Sequence, residues 1–204
     1  MFYFLGCILI FFIADLIFNK IVIEDREHVP RSGGYIIAAN HVSYLDPVAI
    51  GYAVWRATRR PVNYIAKIEL AGNEFFKWFF KQYHVIFIKR REGDRSLLNQ
   101  VIDLLKQNQM VLIFPQQSSN PEKQELKSGV GLLARNSQKQ ILPVKIEISG
   151  YKRVNGFWCW SKMILCWLIG PGKIKVKFGS LMNFDNTVDR WRITNRAIEK
   201  INSL

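Results

Sequence analysis

Asn40-His41-Val42-Ser43-Tyr44-Leu45-Asp46-Pro47 is the stretch on which the reading of this chain turns. It follows a short apolar run, Tyr35-Ile36-Ile37-Ala38-Ala39, that reads as a buried strand. It precedes Val48 to Trp55, which reads as a helix. Open α/β sheets place their chemistry at the carboxyl ends of strands, and a His and an Asp stand there here. With Pro47 at the first helical position, Asp46 is expected at the N-cap. The chain between can then turn back and bring the carboxylate to one ring nitrogen of His41. The other nitrogen would face outward as a general base. Alone, the spacing also fits a surface histidine beside an aspartate that caps a helix. Its neighbours have to decide.

Working outward, the chain alternates strands and helices. Ile21 to Glu24 reads as a short strand, and Val29-Pro30-Arg31-Ser32-Gly33-Gly34 as turn chemistry. Pro61 to Lys67 reads as a strand. Val85 to Ile88 is a continuous apolar strand, expected to be buried on both faces, and it runs into Lys89-Arg90-Arg91. Ser96 to Gln107 is an amphipathic helix with Leu97, Leu98, Val101, Leu104 and Leu105 on one side. Met110 to Phe114 is another buried strand, stopped by Pro115. A helix over Glu125 to Asn136, strands over Ile141 to Ile146 and Lys173 to Gly179, and a helix over Asp189 to Ile201 complete the pattern. Strands alternating with helices predict an α/β fold with a mostly parallel central sheet flanked by helices. No internal repeat or Gly/Pro/Ser-rich linker divides it. Residues 21–204 therefore read as one domain.

Phe2 to Phe18 is almost wholly apolar, broken by Asp15. It is slightly short for a spanning helix, which needs about 20 residues. No basic residue precedes it and no small-residue cleavage site follows, so a signal peptide is not expected. A helix apolar on every side needs burial all round. Residues 1–20 are read as a membrane-dipping anchor, with a core helix as the alternative. Phe75 to Lys81 is a dense aromatic–basic segment that suits either a core helix or a surface lying among lipid headgroups. The Trp-rich stretch Gly156 to Trp160 and Ile164 to Ile169 fits a membrane interface or a packed satellite cluster.

At 204 residues the chain can bury a sizeable core. Hydrophobics at 49% and aromatics at 13% exclude a disordered tail. A net charge of +13, spread along the chain, favours an anionic partner. The basic residues are not gathered into a nucleic-acid motif, so no nucleic-acid partner is expected. Cys7, Cys159 and Cys166 are odd in number and lie in apolar surroundings without zinc-like spacing to histidines. Buried thiols in a reducing compartment are expected, and no metal site.

Four strand ends then converge in one reading. Strands end in His41 and Asp46, in Arg90, and in Phe114-Pro115-Gln116-Gln117-Ser118-Ser119, and a fourth carries Leu142-Pro143-Val144. In a parallel sheet these carboxyl ends share one edge. Asn40-His41-x-Ser43-x-x-Asp46 resembles the first motif of the glycerolipid acyltransferase family, whose best-known members are the lysophosphatidate (1-acyl-glycerol-3-phosphate) acyltransferases. Val85 to Arg90 resembles its second motif, Phe114-Pro115 begins its third, and Leu142-Pro143-Val144 its fourth. Ala66-Lys67-x-Glu69-Leu70 and Lys127-x-Gly129 also fit. The resemblance covers roughly residues 20 to 180.

The resemblance implies transfer of a fatty acyl group from acyl-CoA or acyl-acyl-carrier-protein, as co-substrate, to a hydroxyl of a lyso-glycerolipid at a membrane. No further cofactor is implied. His41 would act as general base, oriented by Asp46, and Arg90, with Lys67 nearby, would hold the acceptor phosphate. Gln116 and Ser118 fall in the substrate-binding loop. The site would face the cytoplasm, or the stroma of a plastid. One departure is clear: the family's third motif usually runs Phe-Pro-Glu-Gly-Thr-Arg. Gln116 carries no charge, and Ser119 cannot replace an arginine at a phosphate. Three readings follow: Arg90 and Lys67 hold the phosphate, the acceptor has none, or the chain is a non-catalytic lipid-binding relative.

Overall fold

The computed structural model describes residues 21–43, 45–68, 78, 81–88, 95–116, 127–149, 173–185 and 187–204. Seven strands form one sheet: β1 (Ile21–Glu24), β2 (Ile36–Ala39), β3 (Val62–Lys67), β4 (Val85–Ile88), β5 (Met110–Ile113), β6 (Ile141–Ser149) and β7 (Lys173–Phe178). The helices among the described residues are α1 (Asp46–Thr58), α2 (Arg95–Lys106), α3 (Gly129–Ser137) and α4 (Arg190–Ser203), with a 3-10 turn at Arg26–His28. The strand order is β1-β7-β6-β2-β5-β3-β4.

The expectation of a mostly parallel sheet holds for the five strands from β6 to β4. It fails at the other side. β7 runs antiparallel to β6, and β1 pairs parallel with β7, so these two strands are reversed and the sheet is mixed. The expected double burial of Val85–Ile88 is also corrected. Among the described residues β4 is an edge strand, and Val85, Ile86 and Phe87 are half-buried. A continuous apolar run does not distinguish a central strand from an edge strand whose outer side is covered in another way.

β2 lies at the centre because all four of its residues are small or β-branched and apolar, and all are buried. Ile37 and Ala39 pack into one core with Ala49, Ile50, Ala53 and Val54 of α1. Ile36 and Ala38 point the other way. They meet Val101, Ile102 and Leu105 of α2, Val130 and Leu133 of α3, and Ile193, Ala197 and Ile201 of α4. Crossover direction explains the two layers. From β2 the chain moves through α1 to β3, toward the β4 edge. From β4 to β5, and from β5 to β6, it moves back. Right-handed crossovers in opposite directions place their helices on opposite faces.

Helix ends follow local chemistry. Asp189 caps α4, accepting from the amides of Trp191 at 2.8 Å and Arg192 at 3.4 Å. Arg59 ends α1 in the left-handed region, with Pro61 just beyond. α3 crosses close to α4 at Gly131, where a Cβ would lie 1.9 Å from the carbonyl oxygen of Arg190. The expected helix over Glu125 to Asn136 is described from Gly129 onward.

Residues 1–20, expected as an anchor, and the Trp-rich stretch 156–169 lie outside the described residues. Segment 75–81 is described at Trp78 and Lys81, both exposed. No helix among the described residues is long and apolar enough to cross a membrane.

Candidate active site

β2 and β5 are hydrogen-bonded neighbours, yet the chain leaves them toward opposite faces: β2 into α1, β5 into α3. Loops that part in this way open a crevice at the carboxyl edge of the sheet, the usual ligand position in open α/β folds. His41 and Asp46 follow β2 there, and Phe114 and Gln116 follow β5.

Asp46 is fully buried and His41 is 17% exposed. The Asp46 Oδ2 accepts from the His41 Nδ1 at 2.8 Å. It also accepts from the backbone amides of Val42 at 2.6 Å and Ser43 at 2.8 Å. The sequence expectation put Asp46 at the N-cap of the helix. Instead Leu45 is the N-cap and Asp46 the first helical residue. Its carboxylate serves the loop behind it rather than the amides ahead. An uncompensated buried carboxylate costs several kcal/mol, on the order of the desolvation of one ion. Three donors and the positive end of α1 offset that cost. The Oδ1 is buried and makes no hydrogen bond among the described residues.

The imidazole is held on a second side by stacking. Its centroid lies 4.4 Å from that of Phe114, with an interplanar angle of 23°. Nδ1 is committed to Asp46, and among the described residues Nε2 makes no hydrogen bond. Such a histidine can take a proton at Nε2 while the carboxylate stabilises the resulting imidazolium.

Asn40 precedes this pair. Its Nδ2 donates to the carbonyl of Ile146 at 2.8 Å, and its Oδ1 accepts from the amide of Ile146 at 2.7 Å. Neither this clamp nor the Phe114 stack was assigned from sequence. Both depend on which strands flank β2, and strand order is not written in local pattern. The one local signal was an aromatic residue placed directly after a buried strand.

The remaining site residues divide. Lys67 ends β3, opposite Ile88 of β4, on the same carboxyl edge as His41. Gln116 is half-buried just past β5. Arg90 and Ser118 lie outside the described residues. The structure thus brings together His41 and Asp46, and places Lys67 and Gln116 on their edge.

Residues 20–147 match the family described as Acyltransferase. The chain belongs to this family. Within the acyltransferase family it is similar to the 1-acyl-sn-glycerol-3-phosphate acyltransferase of Bacillus subtilis, at 27% identity over 61% of each chain. It is 32% identical to a probable 1-acyl-sn-glycerol-3-phosphate acyltransferase of Mycoplasma pneumoniae, over 62% of this chain and 49% of that one. With the Streptococcus pneumoniae enzyme of the same name it shares 31% identity, over 59% of this chain and 45% of the relative. The matches therefore span about half to three-fifths of those relatives' own length. The fold is that of the crystal structure of PlsC, the 1-acyl-sn-glycerophosphate (LPA) acyltransferase from Thermotoga maritima. The TM-score is 0.66 at 20% identity, covering 93% of this chain and 72% of that one.

Proposed function

We propose that this protein is a membrane-associated O-acyltransferase. It moves a fatty acyl group from a thioester donor to the free hydroxyl of 1-acyl-glycerol-3-phosphate, in phospholipid synthesis. The observation that carries the reading is the buried Asp46 carboxylate held by three donors, one of them the Nδ1 of a histidine whose Nε2 makes no hydrogen bond among the described residues. The names of the relatives supply the acceptor class.

In this mechanism His41 Nε2 takes the proton of the acceptor hydroxyl as its oxygen attacks the thioester carbonyl. Asp46 fixes the tautomer and stabilises the imidazolium. The tetrahedral intermediate collapses, the C–S bond breaks, and the proton passes from His41 to the departing thiolate. A thioester is already activated, so no covalent enzyme intermediate is required. The acyl donor is acyl-CoA or acyl-acyl-carrier-protein, and no other cofactor takes part. Arg90 and Lys67 hold the acceptor phosphate as charge-assisted donors. Gln116 and Ser118 line the acceptor side. Residues 1–20 keep the domain at the bilayer that holds its acceptor, with the site open to the cytoplasm or to a plastid stroma.

Gln116-Gln117-Ser118-Ser119 favours a second reading, in which the acceptor carries no phosphate. A non-catalytic lipid-binding relative is disfavoured, because binding alone gives no reason to bury a carboxylate behind a histidine.

The test uses membranes containing the protein or its His41→Ala variant. Each receives labelled acyl-CoA or acyl-carrier protein with lysophosphatidate, and separately with unphosphorylated lyso-lipids. Transfer to lysophosphatidate that vanishes in the variant is expected. Transfer only to an unphosphorylated acceptor would replace the first reading by the second. No transfer from either donor would end both.

A further inference from the structure

The mechanism above gives Asn40 no task, yet its side chain makes two of the shortest hydrogen bonds at the site. β2 ends at Ala39, opposite Val144, while β6 runs on to Ser149. Past that point Ile146 faces no β2 main chain. It is 1% exposed, so its amide and carbonyl would be buried and unpaired. The Asn40 carboxamide supplies both partners, donating at 2.8 Å and accepting at 2.7 Å. It acts as a surrogate peptide group. The main chain can leave the sheet at once and turn toward Asp46 while remaining tied to β6.

We infer that Asn40 is a positioning residue for His41, setting the point and direction at which the chain departs from β2. Asp46 fixes one ring nitrogen and Phe114 fixes the ring plane. Asn40 fixes the backbone from which the ring hangs, and so completes the constraint on where Nε2 lies. A displacement of the order of 1 Å in a reacting group costs on the order of 100-fold in rate. The kinetic part of this inference rests on the acyl-transfer reading; the structural part does not.

The experiment joins two readouts on full-length protein, with Asn40→Ala and Asn40→Asp. The first is nitrogen NMR of 15N-histidine-labelled protein. The chain has three histidines, and His41→Gln assigns the signal. Wild type is expected to show one His41 tautomer, protonated at Nδ1; Asn40→Ala is expected to show a mixture. The second is steady-state kinetics. Asn40→Ala should lower kcat on the order of 100-fold with both KM values unchanged. Asn40→Asp keeps an acceptor for the Ile146 amide but sets a carboxylate against its carbonyl. Its kcat relative to wild type should rise as the pH falls and the carboxyl gains a proton it can donate.

Unchanged His41 tautomers in both variants overturn the inference. So does a lowered unfolding temperature with the kcat of the folded protein intact, which would make Asn40 a stabilising residue alone. If Asn40→Ala does not fold, Asn40→Asp decides. If wild type transfers no acyl group, the function proposed above fails, and the NMR arm still decides Asn40.

Discussion

The two edges of the sheet solve the problem of polar groups at strand ends differently. At the amino edge, long side chains reach across solvent to backbone and side-chain oxygens. Arg60 donates to the carbonyl of Gly33 at 2.7 Å and to that of Asn108, and Lys139 donates to the Asn108 side chain at 3.2 Å. At the carboxyl edge the groups are short and enclosed: Asp46, Asn40 and His41, tied to backbone within a few residues or directly across the sheet. Exposed, flexible partners hold a turn loosely and contribute little each. Buried, rigid ones fix single atoms, and leaving one unpaired is costly. The contrast separates an edge that needs only to be closed from an edge that has to place a ring nitrogen.

The strongest way to break this contrast is His41→Ala. Transfer should fall about 100- to 10,000-fold, the range general-base catalysis supplies. Stability should also fall by about 1–3 kcal/mol in urea, since the buried Asp46 carboxylate loses one of its three donors. Activity above a hundredth of wild type would mean that the enclosed edge is not catalytic. Asp46→Asn comes next. It retains the volume but loses the negative charge on which three donors converge. A loss of transfer approaching that of His41→Ala is expected, together with about 1–3 kcal/mol of stability in chemical denaturation. Full activity would show that Asp46 only closes the loop.

Gly131→Ala tests a close approach away from the dyad. The new Cβ would meet the Arg190 carbonyl oxygen at 1.9 Å, so α3 and α4 have to separate. About 1–3 kcal/mol should be lost, more than the roughly 1 kcal/mol alanine gains over glycine in a helix. The kcat of the folded protein should stay near wild type. At the amino edge, Arg60→Ala should cost about 1 kcal/mol or less with no change in transfer. A larger loss would put rigid polar structure at both edges and dissolve the comparison.

The smallest effect concerns His84, just before β4. Burial pushes its pKa below the ordinary histidine value. Near and below pH 6.5, the unfolded chain therefore binds more protons there than the folded one. Its contribution to stability is present above about pH 6.5 and is lost as the pH falls through the depressed folded value. His84→Asn tolerates the left-handed backbone at this position, where φ is 57°. The variant should lose less stability than wild type between pH 6.5 and 5, measured by urea unfolding; an identical slope would refute the assignment.

Most strands and helices were legible from sequence because the chain is locally consistent. Val85–Ile88 and Met110–Ile113 are apolar and end in charge or proline. Ile193, Ala197 and Ile201 recur at helical spacing and are buried. What was not legible is non-local. Nothing in Lys173–Phe178 states that it runs against β6, and nothing in Val85–Ile88 states that it forms an edge. The pair His41 and Asp46 was readable because four residues separate them and Pro47 fixes the turn. Phe114 and Ile146 reach the same histidine through strand adjacency, which only the folded sheet supplies.

The pairing of β1 has a consequence for the birth of the protein. Ile21 lies opposite Ile174, and among the described residues β1 has no other strand partner. During synthesis β1 thus waits for β7, and the loop to be closed between them is long. Long-range closure of this kind slows folding and keeps apolar surface open during synthesis. Parallel strands β2 to β6 need neither β1 nor β7 as a neighbour within their own block, so the crevice that holds His41 and Asp46 can form before the reversed pair docks.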